Sequence, residues 1–339
     1  MSAIEHNKNL RGLNTFNVEA KASSFLQLNS VVEIERLNEH LSSYDDILIL
    51  GGGSNLLFVN DYAGLVIYPQ LFGVETTSET RQDINLRVSA SENWHEFVTS
   101  CLNDGYYGLE NLALIPGTVG AAPVQNVGAY GVEVEKFIES VECFDLQENK
   151  FVCFKHLECQ FSYRESRFKK AGQGRYLVCY VNFKLNKKAS PVLSYAPLKE
   201  LSQENQNTTA KDVYNWVCHL RKEKLPDPNE LANAGSFFKN PIVSKNQFLE
   251  LKKKFPNVAA YPSGNDFKVA AGWLIDDAGL KGKTIEGVGI HKNQALVLVN
   301  YNESDGTKIW ELARFVMEKI KAIYDIELEP EVRVLGLKN

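Results

Sequence analysis

Ser236 lies in the stretch Asn233-Ala234-Gly235-Ser236-Phe237-Phe238-Lys239-Asn240-Pro241, which sets one small hydroxyl among glycine, amides and a lysine, directly against two aromatics. A surface loop has no reason to place two phenylalanines beside so many polar groups. A buried pocket that must aim one hydroxyl at a ligand does. A lone serine is ordinarily a turn residue bonded to nearby backbone. A second stretch overturns that reading: Ile47-Leu48-Ile49-Leu50-Gly51-Gly52-Gly53-Ser54-Asn55-Leu56-Leu57-Phe58 reads as strand, glycine turn, strand. Together the two stretches suggest a cofactor site facing a proton donor.

The glycine turn lacks the G-x-G-x-x-G spacing of a nicotinamide-binding unit, because Leu56 stands where the third glycine should be. It also runs into a strand, so a phosphate here is held by a nest of backbone N–H groups and not by a helix terminus. On its own a triple glycine is a common feature of tight hairpins. A second glycine-rich loop, Glu110-Asn111-Leu112-Ala113-Leu114-Ile115-Pro116-Gly117-Thr118-Val119-Gly120-Ala121-Ala122-Pro123-Val124-Gln125-Asn126-Val127-Gly128-Ala129-Tyr130-Gly131, doubles the capacity for pyrophosphate contact. Paired loops of this kind are what a long dinucleotide such as FAD requires.

The elements that must position these residues follow from apolar spacing. Ser30 and Glu33 form a capping box ahead of a helical stripe of Ile34, Leu37 and Leu41. Ile84, Leu86 and Val88 alternate as in a half-buried strand. Trp94, Phe97, Cys101 and Leu102 then repeat at helical spacing until Gly105 stops them. Leu177, Cys179, Val181, Phe183 and Leu185 predict another strand, and Val213, Trp216, Val217 and Leu220 another helix. Lys224-Leu225-Pro226-Asp227-Pro228 breaks regular structure and marks a domain boundary, since two prolines so close rule out a continuing helix. Beyond it the spacing predicts a helix with Phe248 and Leu251 behind a Ser244/Gln247 cap, a strand from Ala295 to Val299, and a long helix with Ile309, Leu312, Val316 and Ile320. There is no internal repeat and no low-complexity tract.

Composition excludes several classes of function. At 339 residues two or three sub-domains are expected, with chain enough to enclose a deep cleft. Hydrophobic content of 44% and charged content of 23% are those of a soluble globular protein, and no apolar run approaches a membrane span. The first nine residues do not resemble a signal peptide, so a cytoplasmic location is expected. The six cysteines form no Cys-x-x-Cys pair and predict neither disulfides nor zinc. His6, His40, His95, His156, His219 and His291 are scattered singly, without metal-ligand spacing. A net charge of −5 argues against a nucleic-acid binder and leaves anionic ligands to local cations such as Arg221-Lys222-Glu223-Lys224. No sustained heptad or apolar strip calls for an oligomer, so a monomer is expected.

Four stretches in order resemble the UDP-N-acetylmuramate dehydrogenases, also called UDP-N-acetylenolpyruvoylglucosamine reductases, of bacterial peptidoglycan synthesis. They are Gly51 to Phe58, Ile115-Pro116-Gly117 through Gly131, Asn233 through Pro241, and Leu328-Glu329-Pro330-Glu331-Val332-Arg333. The resemblance spans nearly the whole chain, and Tyr163-Arg164 with Leu193-Ser194-Tyr195 resemble the longer of the family's two types; Ser202 to Thr209 falls in a variable segment that reads as surface loop. It implies an α+β protein with a vanillyl-alcohol-oxidase-type FAD-binding portion of two α+β sub-domains and a C-terminal α/β substrate lobe. The implied division is residues 1–70, completed by 326–339, then 71–225, then 226–325. No histidine stands in the glycine turn to attach the flavin, so FAD is expected to be noncovalent. The implied cofactor contacts are Gly51, Gly52, Gly53, Ser54, Asn55, Pro116, Gly117, Gln125, Asn126, Gly128, Ala129, Tyr130 and Arg333.

The implied reaction passes a hydride from NADPH through flavin N5 to the terminal alkene carbon of UDP-N-acetylglucosamine enolpyruvate. Negative charge then develops on the carbon beside the carboxylate, which must be protonated to give the lactyl ether. By the resemblance Ser236 is the proton donor, a poor acid in water that suffices when held against a basic enolate carbon. Arg164 and Glu331 match the residues that polarise the carboxylate and stabilise the enolate. From spacing alone, each reads equally as part of a surface ion pair, Arg164 with Glu165 and Glu331 with Arg333. The resemblance gives Tyr163, Tyr195, Lys224, Asn240 and Gln294 to the substrate, with Lys224 a point charge on the pyrophosphate and Tyr195 on a loop that closes. Two other readings stand beside this one: a flavin oxidase or dehydrogenase of the same fold, which needs a base and not an acid, and a nucleotide-sugar binder without chemistry.

Overall fold

The computed structural model describes residues 3–37, 41, 43–169, 172–204 and 207–337. His40 lies outside the described residues, as do 205 and 206 of the loop expected at Ser202 to Thr209. The chain divides into two compact units: residues 1–8, 22–52 and 63–221 form the first, and 9–21, 53–62 and 222–339 the second.

The first unit is built on an antiparallel five-stranded sheet in the order Lys150–Lys155, Ile138–Asp145, Tyr176–Asn186, Asp83–Ser89, Val74–Glu79. The 176–186 strand carries the alternation expected, and Leu177, Cys179, Val181, Phe183 and Leu185 are all fully buried. They do not share one core. Glu142 pairs with Tyr180 while Cys143 pairs with Val178, so Cys179 is an extra residue that reverses the two faces of the strand. Leu177 and Cys179 therefore join Leu26, Ile34, Leu65 and Ile67 in one cluster. Val181, Phe183 and Leu185 join Trp94, Phe97, Leu112, Val213 and Val217 in the other.

The helix Trp94–Asn103 starts where Asn93 Oδ1 accepts the Glu96 N–H at 3.1 Å, and it stops at Gly105, whose φ is +79°. Ser30 caps its helix as expected, though the helix itself spans only Val31–Glu35. A mixed sheet in the order Glu5–Asn9, Lys21–Leu28, Tyr62–Pro69, Ile47–Ile49 ends in a parallel pair. The segment Ala196–Glu204 is helical, so the expected surface loop is helix as far as residue 204. The helix Ala210–Lys224 ends where the prolines begin.

In the second unit an antiparallel sheet runs Ala232–Ser236, Val297–Asn300, Val288–Ile290, Thr284–Ile285. The strand expected at 295–299 starts two residues later, because the Val297 N–H closes a turn onto the Gln294 carbonyl at 3.0 Å. The long helix Gly306–Tyr324 buries Ile309, Leu312, Val316 and Ile320 along one stripe. Its first residue must be glycine, since a Cβ on Gly306 would lie 1.8 Å from the Phe58 carbonyl oxygen. The helix Lys245–Lys254 starts on the expected cap, with Ser244 Oγ accepting the Gln247 N–H at 3.2 Å. Near the end of the chain, Arg333–Leu335 pairs in parallel with Leu56–Phe58.

Candidate active site

The glycine turn is not a hairpin. Ile47–Ile49 pairs with Tyr62–Pro69, whereas Leu56–Phe58 pairs with Arg333–Leu335 in a different sheet. The turn therefore links two sheets, and the chain passes from the first unit to the second between Gly52 and Gly53.

Within the first unit the two glycine loops meet. A Cβ on Gly52 would stand 3.0 Å from Gly117 Cα, and one on Gly51 would stand 3.1 Å from Thr118 Oγ1. Gly117, at φ +117°, accepts the Trp94 N–H at 3.1 Å, and Gly120 donates its N–H to the Ala90 carbonyl at 2.8 Å. A Cβ on Gly120 would meet Ala90 Cβ at 2.6 Å. The second loop is thus clamped to the corner between a strand and the 94–103 helix, with its backbone bare toward Gly52. A cradle of bare backbone that any side chain would fill fits the phosphates of a dinucleotide.

The end of that loop forms a two-residue turn, since Ala129 pairs with Val132 and both Tyr130 (φ +49°) and Gly131 (φ +84°) are left-handed. Asn126 is fully buried, with its amide bonded to the Ser162 carbonyl at 3.2 Å and the Glu135 N–H at 3.2 Å. Its side chain thereby ties the loop to the segment that carries Tyr163 and Arg164. Those two residues form the tip of a tight turn, because Ser162 and Glu165 exchange backbone bonds at 3.0 and 3.1 Å and Arg164 has φ +54°. The Arg164 guanidinium donates to the Gly128 carbonyl at 2.6 Å and stands 5.4 Å from the Tyr163 ring centre. A Cβ on Gly128 would meet Arg164 Nη1 at 2.8 Å, so that glycine gives the arginine its room.

Tyr195 packs edge-on to Tyr130 with ring centres 5.2 Å apart, and it is half-exposed. Asn111 joins their segments by donating to the Tyr130 carbonyl at 3.0 Å and the Val192 carbonyl at 2.9 Å. Sequence reasoning passed over Asn111 as one residue of a glycine-rich loop; its signal is the polar pair Glu110-Asn111 set between Leu109 and the apolar Leu112-Ala113-Leu114.

The second unit brings together the serine, the glutamate and Asn55. Ser236 pairs with Val297, and the next residue, Phe237, accepts the Glu331 N–H at 2.7 Å. The backbones of Ser236 and Glu331 are therefore neighbours. Phe237 and Phe238 are buried, and Ser236 between them and Gly235 remains half-exposed. Asn55 Nδ2 donates to the Glu331 carbonyl at 3.3 Å, and the Asn55 carbonyl accepts the Arg333 N–H at 3.1 Å, which joins Asn55 to the start of the last strand and the residues just before it.

Asn240 and Gln294 converge on one helix start. Asn240 Oδ1 accepts the Ala271 N–H at 2.9 Å, and a Cβ on the next residue, Gly272, would lie 3.5 Å from Gln294 Oε1. Lys224 is exposed at the end of its helix.

A segment that sequence reasoning missed altogether runs from Leu13 to Phe16. Thr15 donates its N–H to the Gly53 carbonyl at 3.1 Å and accepts the Asn233 N–H at 3.0 Å. Phe16 packs on Phe237 with ring centres 6.2 Å apart, and its carbonyl accepts from Asn300 Nδ2 at 2.8 Å. Gly53, at φ +64°, lies so close that a Cβ would be 2.0 Å from the Leu13 carbonyl oxygen. The segment is a strap between the glycine turn and the strand of Ser236. Among the described residues no group of three or more His, Cys, Asp or Glu side chains is placed to hold a metal, and no helix is long and apolar enough to cross a membrane.

Comparison with known proteins gives the same picture. Residues 24–151 match an FAD binding domain, and residues 227–335 match the C-terminal domain of UDP-N-acetylenolpyruvoylglucosamine reductase. The UDP-N-acetylenolpyruvoylglucosamine reductase of Aliivibrio fischeri is 44% identical over 96% of this chain and 93% of its own. That of Shewanella sediminis is 45% identical over 98% and 97%. A crystal structure of the Thermus caldophilus reductase, 24% identical, shares the fold over 99% of this chain and 100% of its own, with a TM-score of 0.69. The α+β fold with an FAD-binding portion is the expected one, and the chain belongs to the UDP-N-acetylenolpyruvoylglucosamine reductase family.

Proposed function

We propose that this chain reduces the enolpyruvyl ether of UDP-N-acetylglucosamine to UDP-N-acetylmuramate, with Ser236 delivering the proton. The observation that carries the reading is the 2.7 Å bond from the Glu331 N–H to the Phe237 carbonyl, which sets the backbones of the two candidate groups side by side. When bound in the cradle of Gly51, Gly52 and Gly117, noncovalent FAD supplies the hydride relay from NADPH to the terminal alkene carbon.

The residues of the chain do the rest. Hydride arriving at the alkene carbon pushes an electron pair toward the substrate carboxylate. Arg164, a planar fork suited to that group, holds it, and Glu331, as the protonated acid or through a water it orders, stabilises the enolate beside it. The Ser236 hydroxyl gives its proton to the carbon next to the carboxylate, and the serine regains a proton from water once product leaves. Tyr163 and Tyr195 line the substrate; Lys224, Asn240 and Gln294 take its diphosphate and uracil. Asn240 suits this role because its oxygen already holds the Ala271 N–H, which leaves its amide hydrogens for a ligand. The Tyr195 segment closes over the substrate.

Three further readings belong to the proposal. The chain acts as a monomer on small molecules, without nucleic acid or membrane; it works in the cytoplasm; and its residues divide into 1–70 with 326–339, 71–225 and 226–325. The pairing of Arg333–Leu335 with Leu56–Phe58 supports the return of the last residues to the first of these.

The test is Ser236→Ala, followed by anaerobic absorbance. NADPH should bleach the variant's flavin at the native rate, whereas reoxidation by UDP-N-acetylglucosamine enolpyruvate should slow by about 10²–10⁴-fold, the usual value of a positioned acid. Native reoxidation in the variant would remove Ser236 from the chemistry. A flavin that bleaches yet ignores the enolpyruvate in the native protein would favour a different flavoenzyme.

A further inference from the structure

We infer that Asn233 is a positioning residue for the proton donor, because it fixes the backbone bulge that turns Ser236 to its face of the sheet. The inference rests on the reading of Ser236 given above. Asn233 pairs with Val299, and a regular antiparallel register would then set residue 235 opposite Val297. Instead Ser236 stands there, so the strand carries one extra residue between them. Side chains alternate faces along a strand, so without the bulge the hydroxyl would point to the opposite face.

Two features make the bulge. Gly235 takes φ +69°, where an L side chain is strained although nothing lies within 4 Å of its would-be Cβ. The requirement there is conformational and not spatial. Asn233 Oδ1 accepts the Gly235 N–H at 2.8 Å, closing a side-chain turn across the extra residue.

The rest of the Asn233 amide is anchored. Nδ2 donates to the Leu231 carbonyl at 2.8 Å and to the Pro226 carbonyl at 3.1 Å, and the backbone N–H donates to Thr15 at 3.0 Å. At 2% exposure the side chain has no water to exchange these partners for. Pro226 lies two residues past Lys224, so the same amide also holds the segment that leads from the candidate pyrophosphate cation. Asn233 itself touches no substrate. It acts on catalysis only through where Ser236 stands, and a shift of about 1 Å at such a group costs on the order of 10²-fold.

The experiment compares Asn233→Ala and Asn233→Ser in the flavin-loaded enzyme, each alone and with Ser236→Ala. Serine keeps an acceptor two residues before the Gly235 N–H, and alanine does not. Reoxidation by the enolpyruvate should fall about 10–100-fold in Asn233→Ala and less than about 5-fold in Asn233→Ser, with bleaching by NADPH unchanged in both. In the Ser236→Ala background the Asn233→Ala loss should shrink below about 2-fold, since there is no donor left to misplace.

A readout independent of turnover is amide exchange at Gly235 in the flavin-free protein: protection is lost with alanine and kept with serine. The inference fails if Asn233→Ala slows both half-reactions alike, or if its loss multiplies undiminished onto Ser236→Ala. Should alanine not fold, serine that loses rate as strongly as Ser236→Ala while Gly235 stays protected also overturns it. Native reoxidation in Ser236→Ala alone would instead sink the reading of Ser236, whatever the Asn233 variants do.

Discussion

Gly53→Ala and Gly235→Ala form a pair that separates backbone strain from steric collision. The two glycines have nearly the same φ, +64° and +69°. At Gly235 a Cβ meets nothing within 4 Å, so alanine there costs only the left-handed conformation, about 1 kcal/mol. At Gly53 the Cβ would lie 2.0 Å from the Leu13 oxygen, 2.8 Å from its carbon and 2.9 Å from Asn14 Cα. Bringing the first contact to 3.0 Å moves backbone by about 1 Å, and backbone gives less readily than a side-chain tip.

That shift breaks the Thr15–Gly53 bond and loosens the Asn233–Thr15 bond on the same strap. At about 1 kcal/mol for each, the total for Gly53→Ala is about 3 kcal/mol. For the second unit, about 140 residues and so close to the size at which 1 kcal/mol shifts Tm by roughly 2–4 °C, this lowers Tm by roughly 6–12 °C, against roughly 2–4 °C for Gly235→Ala. Calorimetry on flavin-free protein makes the measurement without a contribution from lost FAD. Equal shifts for the two variants would refute the strap as an anchored element.

Asp145→Asn should cost about 2–3 kcal/mol at pH 7, read by urea unfolding. Burial alone would push this carboxyl up, but the Arg175 fork at 2.6 Å and the N–H groups of Glu148 and Gln147 hold it below the usual range. The stabilisation is thus present above the unfolded value of about 3.9 and is lost as pH falls through the lower folded value, where native protein and variant should converge. His291 is buried, with no partner for Nδ1 among the described residues, and burial pushes its pKa down. The folded state resists its protonation, so stability should decline as pH falls below about 6.5, and His291→Gln should flatten that decline in a pH series of Tm. Gly52→Ala should cut flavin content several-fold, because its Cβ fills the 3.0 Å approach to Gly117. Calorimetry of the flavin-free variant should show a loss of no more than about 1 kcal/mol, as expected where no left-handed φ is involved.

Much of the scaffold was legible because it rests on periodic burial. The 306–324 helix, the 83–89 strand and the 94–103 helix show their core faces in apolar spacing alone. The face reversal at Cys179 was not, since a bulge depends on the register of a partner strand and leaves no mark in the alternation. The Ser202 end of the variable segment reads as loop because its helix is short and polar, and only its packing against the first unit's core, through Leu198, decides it. In the candidate site Ser236 stood out from its own neighbours as a hydroxyl set against two aromatics, whereas Arg164 and Glu331 were visible through the resemblance, their own neighbours in sequence suggesting surface ion pairs. The strap at 13–16 carries no period at all: its partners are backbone groups of Gly53 and Asn233 and the ring of Phe237, distant in sequence. Backbone hydrogen bonds to a far segment are invisible in side-chain patterns.

The strap also sets the order in which the protein can mature. Thr15 waits for Asn233, Phe16 for Asn300, and Asn55 for Glu331, a separation of 276 residues. At synthesis rates of roughly 5–20 residues per second, the segment from 13 to 16 waits roughly 10–60 s for Asn233 and Asn300. During that interval Phe16, fully buried in the finished protein, lacks the Phe237 ring on which it packs. The glycine turn is translated early, yet half of it can close only when some of the last residues appear. Contacts of such range are formed late and slowly. A nascent chain halted before Asn233 therefore exposes an aromatic anchor and an open turn, which is the state a chaperone or a protease would meet first.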